Sequence, residues 1–420
     1  MSVKLLIKNT FYLYIITIIK ILFPLLTLPY LTRILSIDIY GMVAYVKAYM
    51  AYVMLLLDFG FLLSATGDIA KAENIATVGR IAGDVFAGKI FLVLLSAVGT
   101  FILSEHMKIL HQNQLFLWLY FISCALTVFI PDFLYRGIEK MEYVAIPFAA
   151  SKTLVVILTY CLIKDDSDLL YIPGLEVAGN TVAATVSLCF LRKLQIRIRW
   201  GGFKRCVAEF VNSSIYFLSN FATTFFSAFT TIVVGSCMQN SDIAYWSLCV
   251  QIVAIAKGMY APVANSLYPH MVKDKDLVLV RRIAVFFCIP LFVGSIIVIA
   301  WGQNILEIVF GRSYGYVGYL LKFLLPVIIF SFFSMLYGWP VLGAIGKIKE
   351  TTLSTVLSAL VQVIGIFLLI GIGWFNLISL AICCGISEGI LLLIRLAVFQ
   401  KNKRLFLKIS PGESVSSAGY

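Results

Sequence analysis

The chain has 420 residues, 61% of them hydrophobic and only 13% charged, with a formal net charge of +12. A soluble domain keeps about a quarter of its residues charged to hold its outside in water, so this composition excludes an ordinary water-soluble enzyme. Continuous apolar runs of about 20 residues exclude a barrel as well, because barrel strands alternate over about ten; the expected fold is all-α, since a helix satisfies its own backbone in hydrocarbon.

About twelve spans are expected. The first, over 10–32, carries Lys20 near its middle, Pro24 and Pro29 as interruptions, and Arg33 at its outer end. It has no small-residue cleavage site and reads as a retained helix. The second, over 39–63, carries Lys47 and Asp58. Eleven residues at about 100° each bring these two within about 20° of one direction, three turns apart, so one polar stripe runs along the span. Asp58-Phe59-Gly60 spells the metal-binding triplet of kinases, but no Gly-rich phosphate loop or catalytic loop accompanies it, and that reading is rejected. Tyr12, Tyr14, Tyr30, Tyr40, Tyr45, Tyr49 and Tyr52 crowd these two spans, as sugar-stacking groups or as an interfacial belt.

Spans over 85–104, 115–135, 143–163 and 170–190 follow and bring Lys89, Asp132, Lys152 and Glu176 to membrane depth. A basic stretch, Arg192-Lys193-Leu194-Gln195-Ile196-Arg197-Ile198-Arg199-Trp200, then reads as an interfacial linker. Beyond it come spans over 211–236, 244–268, 283–302, 317–345, 351–372 and 376–399, with Lys257, Lys322, Glu388 and Arg395 inside them. Lys89, Asp132, Lys322 and Arg395 are close enough to span ends to snorkel. Lys20 and Lys257 are not.

Loop charge orients the chain. With the N-terminus inside, the loops and tails of that side hold 22 Lys and Arg against 4 on the other, which places both termini in the cytoplasm of an inner-membrane protein. The basic balance is thereby assigned to topology and anionic headgroups, not to nucleic acid. Nine cysteines without metal or redox spacing read as small buried hydrophobes, and no metal site or cofactor is expected. No loop is long enough for a soluble domain. The expected organisation is a six-helix lobe over 1–190, the cytoplasmic linker 191–210, a second six-helix lobe over 211–400 and a cytoplasmic tail over 401–420.

The halves share a weak repeat. A shift of 204 residues lays Asn9-Thr10-Phe11-Tyr12 over Ser213-Ser214-Ile215-Tyr216, and Ser36-Ile37-Asp38-Ile39 over Asn240-Ser241-Asp242-Ile243. Six spans per half is even, so the halves enter the membrane from the same side and would be related by a pseudo-two-fold along the membrane normal. Ionisable groups within spans are costly and usually face protein or water, which makes each a candidate for function.

Phe23-Pro24-Leu25-Leu26-Thr27-Leu28-Pro29-Tyr30-Leu31-Thr32-Arg33-Ile34-Leu35, followed by Tyr40-Gly41, Asp58-Phe59-Gly60-Phe61 and Ser64-Ala65-Thr66, resembles the first spans of Wzx-type O-antigen flippases. These form part of the polysaccharide transporter branch of the multidrug/oligosaccharidyl-lipid/polysaccharide exporter superfamily. The resemblance covers roughly residues 8–70 closely and the rest in span number and length. It implies a flippase, not an enzyme, moving undecaprenyl-pyrophosphate-linked oligosaccharide from the cytoplasmic to the periplasmic leaflet by alternating access. It further implies a cationic cavity on spans 1, 2, 7 and 8, where Lys20, Arg33, Lys47 and Lys257 lie. Proton or sodium would be the coupling ion, with Asp58, Glu176 or Glu388 as the coupling carboxylate. A polysaccharide polymerase and chain-length machinery are the implied partners, besides membrane lipids. Two rivals stay in view: an ion-coupled multidrug antiporter of the same superfamily, and a membrane polysaccharide polymerase. The cation excess within the spans speaks against the first, and the lack of a large loop against the second.

Overall fold

The computed structural model describes residues 3–406, and their side chains apart from 3–7, 219, 222–227, 261, 265 and 269. The tail expected over 401–420 thus lies outside the described residues beyond 406. The described residues form helices and the turns and connections between them, without a strand. In order the helices are α1 (Val3–Ile34), α2 (Ile37–Asp58), α3 (Phe61–Ala70), α4 (Ile75–His106), α5 (Lys108–Gln112), α6 (Gln114–Leu126), α7 (Asp132–Gly137), α8 (Glu142–Leu162), α9 (Tyr171–Lys193), α10 (Phe203–Cys237), α11 (Asn240–Asp274), α12 (Leu277–Phe310), α13 (Gly315–Leu336), α14 (Ile348–Ile372) and α15 (Leu377–Asn402). Eleven described segments are long and apolar enough to cross a membrane. The remaining expected span falls on α10, whose described apolar stretch is Ala228–Cys237. The chain is a multi-pass all-α membrane protein.

Three expected spans are not single helices. Span 2 breaks at Phe59 and Gly60, both left-handed at φ 42° and 78°. Gly60 is obligatory there, because a Cβ would meet Ser213 O, Phe217 N and Tyr216 Cβ at 2.7 Å. Phe59 is held in this unfavourable region by stacking on Phe217, with centroids 4.5 Å apart. Span 4 breaks after Ile130, where Pro131 precedes α7 and disfavours helical geometry in the residue before it. Span 10 leaves α-helical geometry at α13's end in a π-turn over Tyr337–Leu342, with Gly338 at ψ −114° and Pro340 lacking a backbone donor. By contrast, Pro24 and Pro29, expected to interrupt span 1, lie inside the continuous α1.

By contact density the chain divides into two compact units. Unit 1 is Met1–Ser247 with Val309–Ser313, and unit 2 is Leu248–Ile308 with Tyr314–Tyr420. Within unit 1, α1 lies along α8. Lys8 pairs with Glu142 at 2.8 Å, the Met141 N–H reaches Asn9 Oδ1 at 3.5 Å, and the Tyr30 hydroxyl donates to Ile163 O at 2.7 Å. Helices α2 and α3 meet α10 with no space to spare: Gly235 leaves room for the ring of Tyr45 on α2, and the hydroxyls of Ser64 on α3 and Ser213 hydrogen-bond at 2.5 Å. The repeat is visible locally. Ser36 and Asn240 stand at the starts of α2 and α11, with Asp38 and Asp242 in the first turns, where a carboxylate favours the positive end of a helix.

The linker is no slack loop. Residues 197–201 run extended along α4 and are held through their backbone. The Arg199 N–H donates to Gly79 O at 3.0 Å, and the Gly201 N–H to Asp84 Oδ1 at 2.6 Å. Gly79 and Gly83 make the approach possible, since a Cβ on either would lie about 2 Å from the carbonyl oxygen of Arg197 or Arg199. Asp84 is itself buried, and the strap supplies the donor that a buried carboxylate needs.

In unit 2 a core of Tyr260, Leu267, Met271, Val280, Phe332, Leu336, Val341 and Phe406 ties α11, α12 and α13 together. The outer face of α12 shows Phe286, Ile289 and Phe292, as a lipid-facing surface should.

Candidate functional site

Each unit contains a cavity with ionisable groups at membrane depth. The unit 1 cavity has a volume of about 530 Å³ and is walled by α2, α4, α6, α8 and α9 and the broken part of span 4. Lys47, Asp58, Lys89, Asp132, Lys152 and Glu176 all line it. The stripe read from the sequence is therefore real: Lys47 and Asp58 face the same space from one helix. Lys152 on α8 pairs with Glu176 on α9 at 2.9 Å. Lys47 feels both charges of that pair. Lys89 is attracted by Asp58 and by Asp132, and its ammonium lies 5.5 Å from the ring centre of Phe133. Asn180 donates to Ser123 Oγ and Ser123 O at 2.9 and 3.0 Å on the same wall.

Three cations thus face three carboxylates. This cavity is balanced. It is walled by spans 2 to 6 and is distinct from the cationic cavity on spans 1, 2, 7 and 8 that the resemblance implies. Lys89 departs from expectation. Expected to snorkel, it is buried among cavity walls instead.

Lys20 does not line this cavity, but its ammonium sits 5.9 Å from the ring of Phe148, which does, and it attracts Asp132. Arg33 lies at the end of α1, outside the lining of this cavity, its Cγ 3.6 Å from the position a Cβ on Gly311 would take. Of the tyrosines, Tyr40, Tyr45 and Tyr49 are buried in helix packing, and the Tyr49 hydroxyl bonds Thr100 Oγ1 at 3.0 Å. They are structural here.

The unit 2 cavity, about 650 Å³, holds the remaining candidates. Lys257 on α11 forms an ion pair with Glu388 on α15. Arg395, about two turns along α15 from Glu388, lines the same space. It too was expected to snorkel, yet it is buried. Its guanidinium donates to Ser334 O, to Ser354 Oγ at 3.2 Å and to Thr355 Oγ1 at 3.0 Å. Ser334 O belongs to the last turn of α13, beside the π-turn. Arg395 therefore caps backbone that the break leaves open. The signal that could have found this role was the Gly338-Trp339-Pro340 triplet in an otherwise apolar span.

A family model described as "Polysaccharide biosynthesis protein" matches residues 6–274, well over half of the chain. A Shigella dysenteriae protein named "Putative O-antigen transporter" is 25% identical over 373 residues, covering 86% of this chain and 92% of that one. An Escherichia coli K12 protein of the same name is 24% identical over 414 residues, covering 95% and 97%. Among solved structures, an inward-facing multidrug resistance MATE family transporter of the MOP superfamily superposes with a TM-score of 0.73 at 11% identity, covering 97% of this chain and 100% of that one. The lipid II flippase MurJ in an inward closed conformation gives 0.71 at 15% identity, covering 96% and 90%. At such identities the two structures establish the fold alone.

Proposed function

The chain belongs to the polysaccharide biosynthesis protein family, and on that footing we propose that it is a flippase for lipid-linked oligosaccharides. The cargo we infer is an undecaprenyl-pyrophosphate-linked repeat unit of O-antigen or a similar polysaccharide. It would move from the cytoplasmic to the periplasmic leaflet of a bacterial inner membrane by alternating access, with both termini cytoplasmic and with lobes over 1–190 and 211–400 as the moving bodies. The observation that carries the reading is the unit 1 cavity, where Lys47, Lys89 and Lys152 stand at membrane depth. An ammonium is a compact charge suited to phosphate, and desolvated charge is kept in a membrane only where it serves transport or structure.

Balance in the cavity gives the proposed mechanism its form. A pyrophosphate that takes Lys152 must displace Glu176. A proton or sodium ion would then replace the lost charge on the carboxylate, which couples cargo to ion without any dedicated metal cluster. Asp58 beside Lys89 can serve the same way in unit 1, and Glu388 beside Lys257 in unit 2. Lys20 above Phe148 would meet the headgroup on entry, and Arg33 would act at the outer end of its span.

A multidrug antiporter is the second reading, and the three carboxylates of the unit 1 cavity favour it, because cationic drugs need them. Family membership weighs against it. A deletion strain separates the two. Loss of surface polysaccharide with build-up of lipid-linked repeat units, restored by the intact chain and not by Lys20→Ala or Lys257→Ala at normal protein level, supports the flippase. Normal polysaccharide in a strain without a redundant flippase overturns it.

A further inference from the structure

Trp339 stands in the π-turn at the end of span 10. Its ring packs on Gly343. A Cβ on Gly343 would be 3.3 Å from Trp339 Cε3 and 3.4 Å from Tyr268 Cε2. Two aromatic rings thus converge on one residue that has no side chain. Both line the unit 2 cavity, and Trp339 keeps 53% of its surface open.

The cations of this cavity are already committed. Lys257 is paired with Glu388, and Arg395 spends three donors on Ser334, Ser354 and Thr355. Tyr260 and Ser331 are hydrogen-bonded to each other. A free phosphate would have to break one of these arrangements, and an organic cation would have to take Glu388 from Lys257. A neutral polyol needs neither. Its hydroxyls can add to groups whose charges are balanced, and the C–H face of a pyranose can lie on an indole. At about 650 Å³ the space is of the size that holds small organic ligands.

We propose that the unit 2 cavity is a carbohydrate subsite, in which Trp339 and Tyr268, both seated on Gly343, offer an aromatic platform for an uncharged sugar ring. The assignment deepens the flippase reading and rests on it for the biological cargo, which would place sugar recognition in unit 2.

The test uses the full chain in detergent and, as probe, the repeat-unit oligosaccharide freed from its lipid by mild acid, with binding read by saturation-transfer NMR and equilibrium dialysis. Binding to the wild-type chain at millimolar concentration is expected. Trp339→Ala should weaken it about tenfold, and Trp339→Phe, which keeps an aromatic platform, by no more than about threefold. Gly343→Val, whose side chain would push both rings off their seat, should weaken it about tenfold as well and decides the matter if Trp339→Ala does not accumulate. Undiminished binding by Trp339→Ala or Gly343→Val, or none by the wild type, overturns the subsite. Export in the deletion strain keeps the two ideas apart. Normal export without the gene sinks the flippase while the binding data still judge the subsite. Defective export fully restored by Trp339→Ala, with sugar binding unchanged, sinks the subsite and leaves the flippase standing.

Discussion

Lys152 Nζ lies 2.9 Å from Glu176 Oε2, across the packed faces of α8 and α9. The two side chains are 30% and 22% exposed, so water screens the pair only in part. Removing one partner leaves a charge in a poorly solvated wall; removing both does not. Glu176→Gln and Lys152→Met are each expected to lower thermal stability in detergent by about 1–3 kcal/mol, and the double variant by less than either, a coupling that a double-mutant cycle measures. Export should fall in all three. Additive losses would show that the pair is not an energetic unit.

Arg395 is expected to be harder to replace than any lysine of the cavities. Its side chain satisfies a carbonyl at the end of α13 and two hydroxyls on α14, and losing it strands those acceptors away from water. Arg395→Met should cost about 2–4 kcal/mol, seen as a fall in melting temperature, with Arg395→Lys recovering a part. Equal stability of Arg395→Met and the wild type would remove the capping role assigned here.

The strap over 197–201 carries two arginines that are exposed as side chains and held as backbone. A protease needs several residues of free extended chain, so trypsin should cut slowly at Arg197 and Arg199 in inside-out vesicles of the wild type. Gly79→Ala puts a methyl about 2 Å from the Arg197 carbonyl oxygen and should speed cleavage there at least tenfold. Asp84→Ala, which removes the acceptor of the Gly201 N–H, should act in the same direction. Equal cleavage rates would mean that the strap does not hold in the membrane.

Glu209 lies on α10 just before the span expected at 211–236. Burial, reinforced by Asp68 and Asp84, pushes its carboxyl up to about 7 from the ordinary 4.5. Because the folded-state value is raised, the folded chain binds this proton more tightly than the unfolded chain does. The resulting stability is present in full below about pH 4.5 and is lost as pH rises through 7. Melting temperature should fall between about pH 5 and 8, and Glu209→Gln should flatten that part of the profile. A profile unchanged by the substitution would place the titration elsewhere.

Much of this fold is legible in the amino-acid order because a bilayer asks for one thing, an apolar run long enough to cross it. Runs such as 283–302 and 351–372 fall inside α12 and α14, and the Lys47 and Asp58 stripe follows from helix period alone. The breaks are harder. Gly60 looks like any glycine until α10 is laid against it, and Pro340 differs from Pro24 only in what surrounds it. Pairing is harder still. Lys152 and Glu176 are 24 residues apart, and Lys257 and Glu388 are 131 apart; no periodicity links them. For that reason the charge balance of the unit 1 cavity is set by packing and does not follow from the number of cations along its spans. The aromatic platform on Gly343 was hidden for a related reason, since Tyr268 comes to it from α11, far away in the sequence.

The strap also bears on how the protein is made. Gly201 follows Asp84 by 117 residues, which at ribosomal speed is about 6–23 s of synthesis. Helix α4 is therefore available before its strap leaves the ribosome. When Gly201 engages Asp84, Phe203, the first residue of α10, is only two residues away. The entry point of the seventh span is thereby indexed to a helix already laid down. Newly made chain does not have to search for it, and the second half of the protein starts its insertion from a place that the first half has chosen.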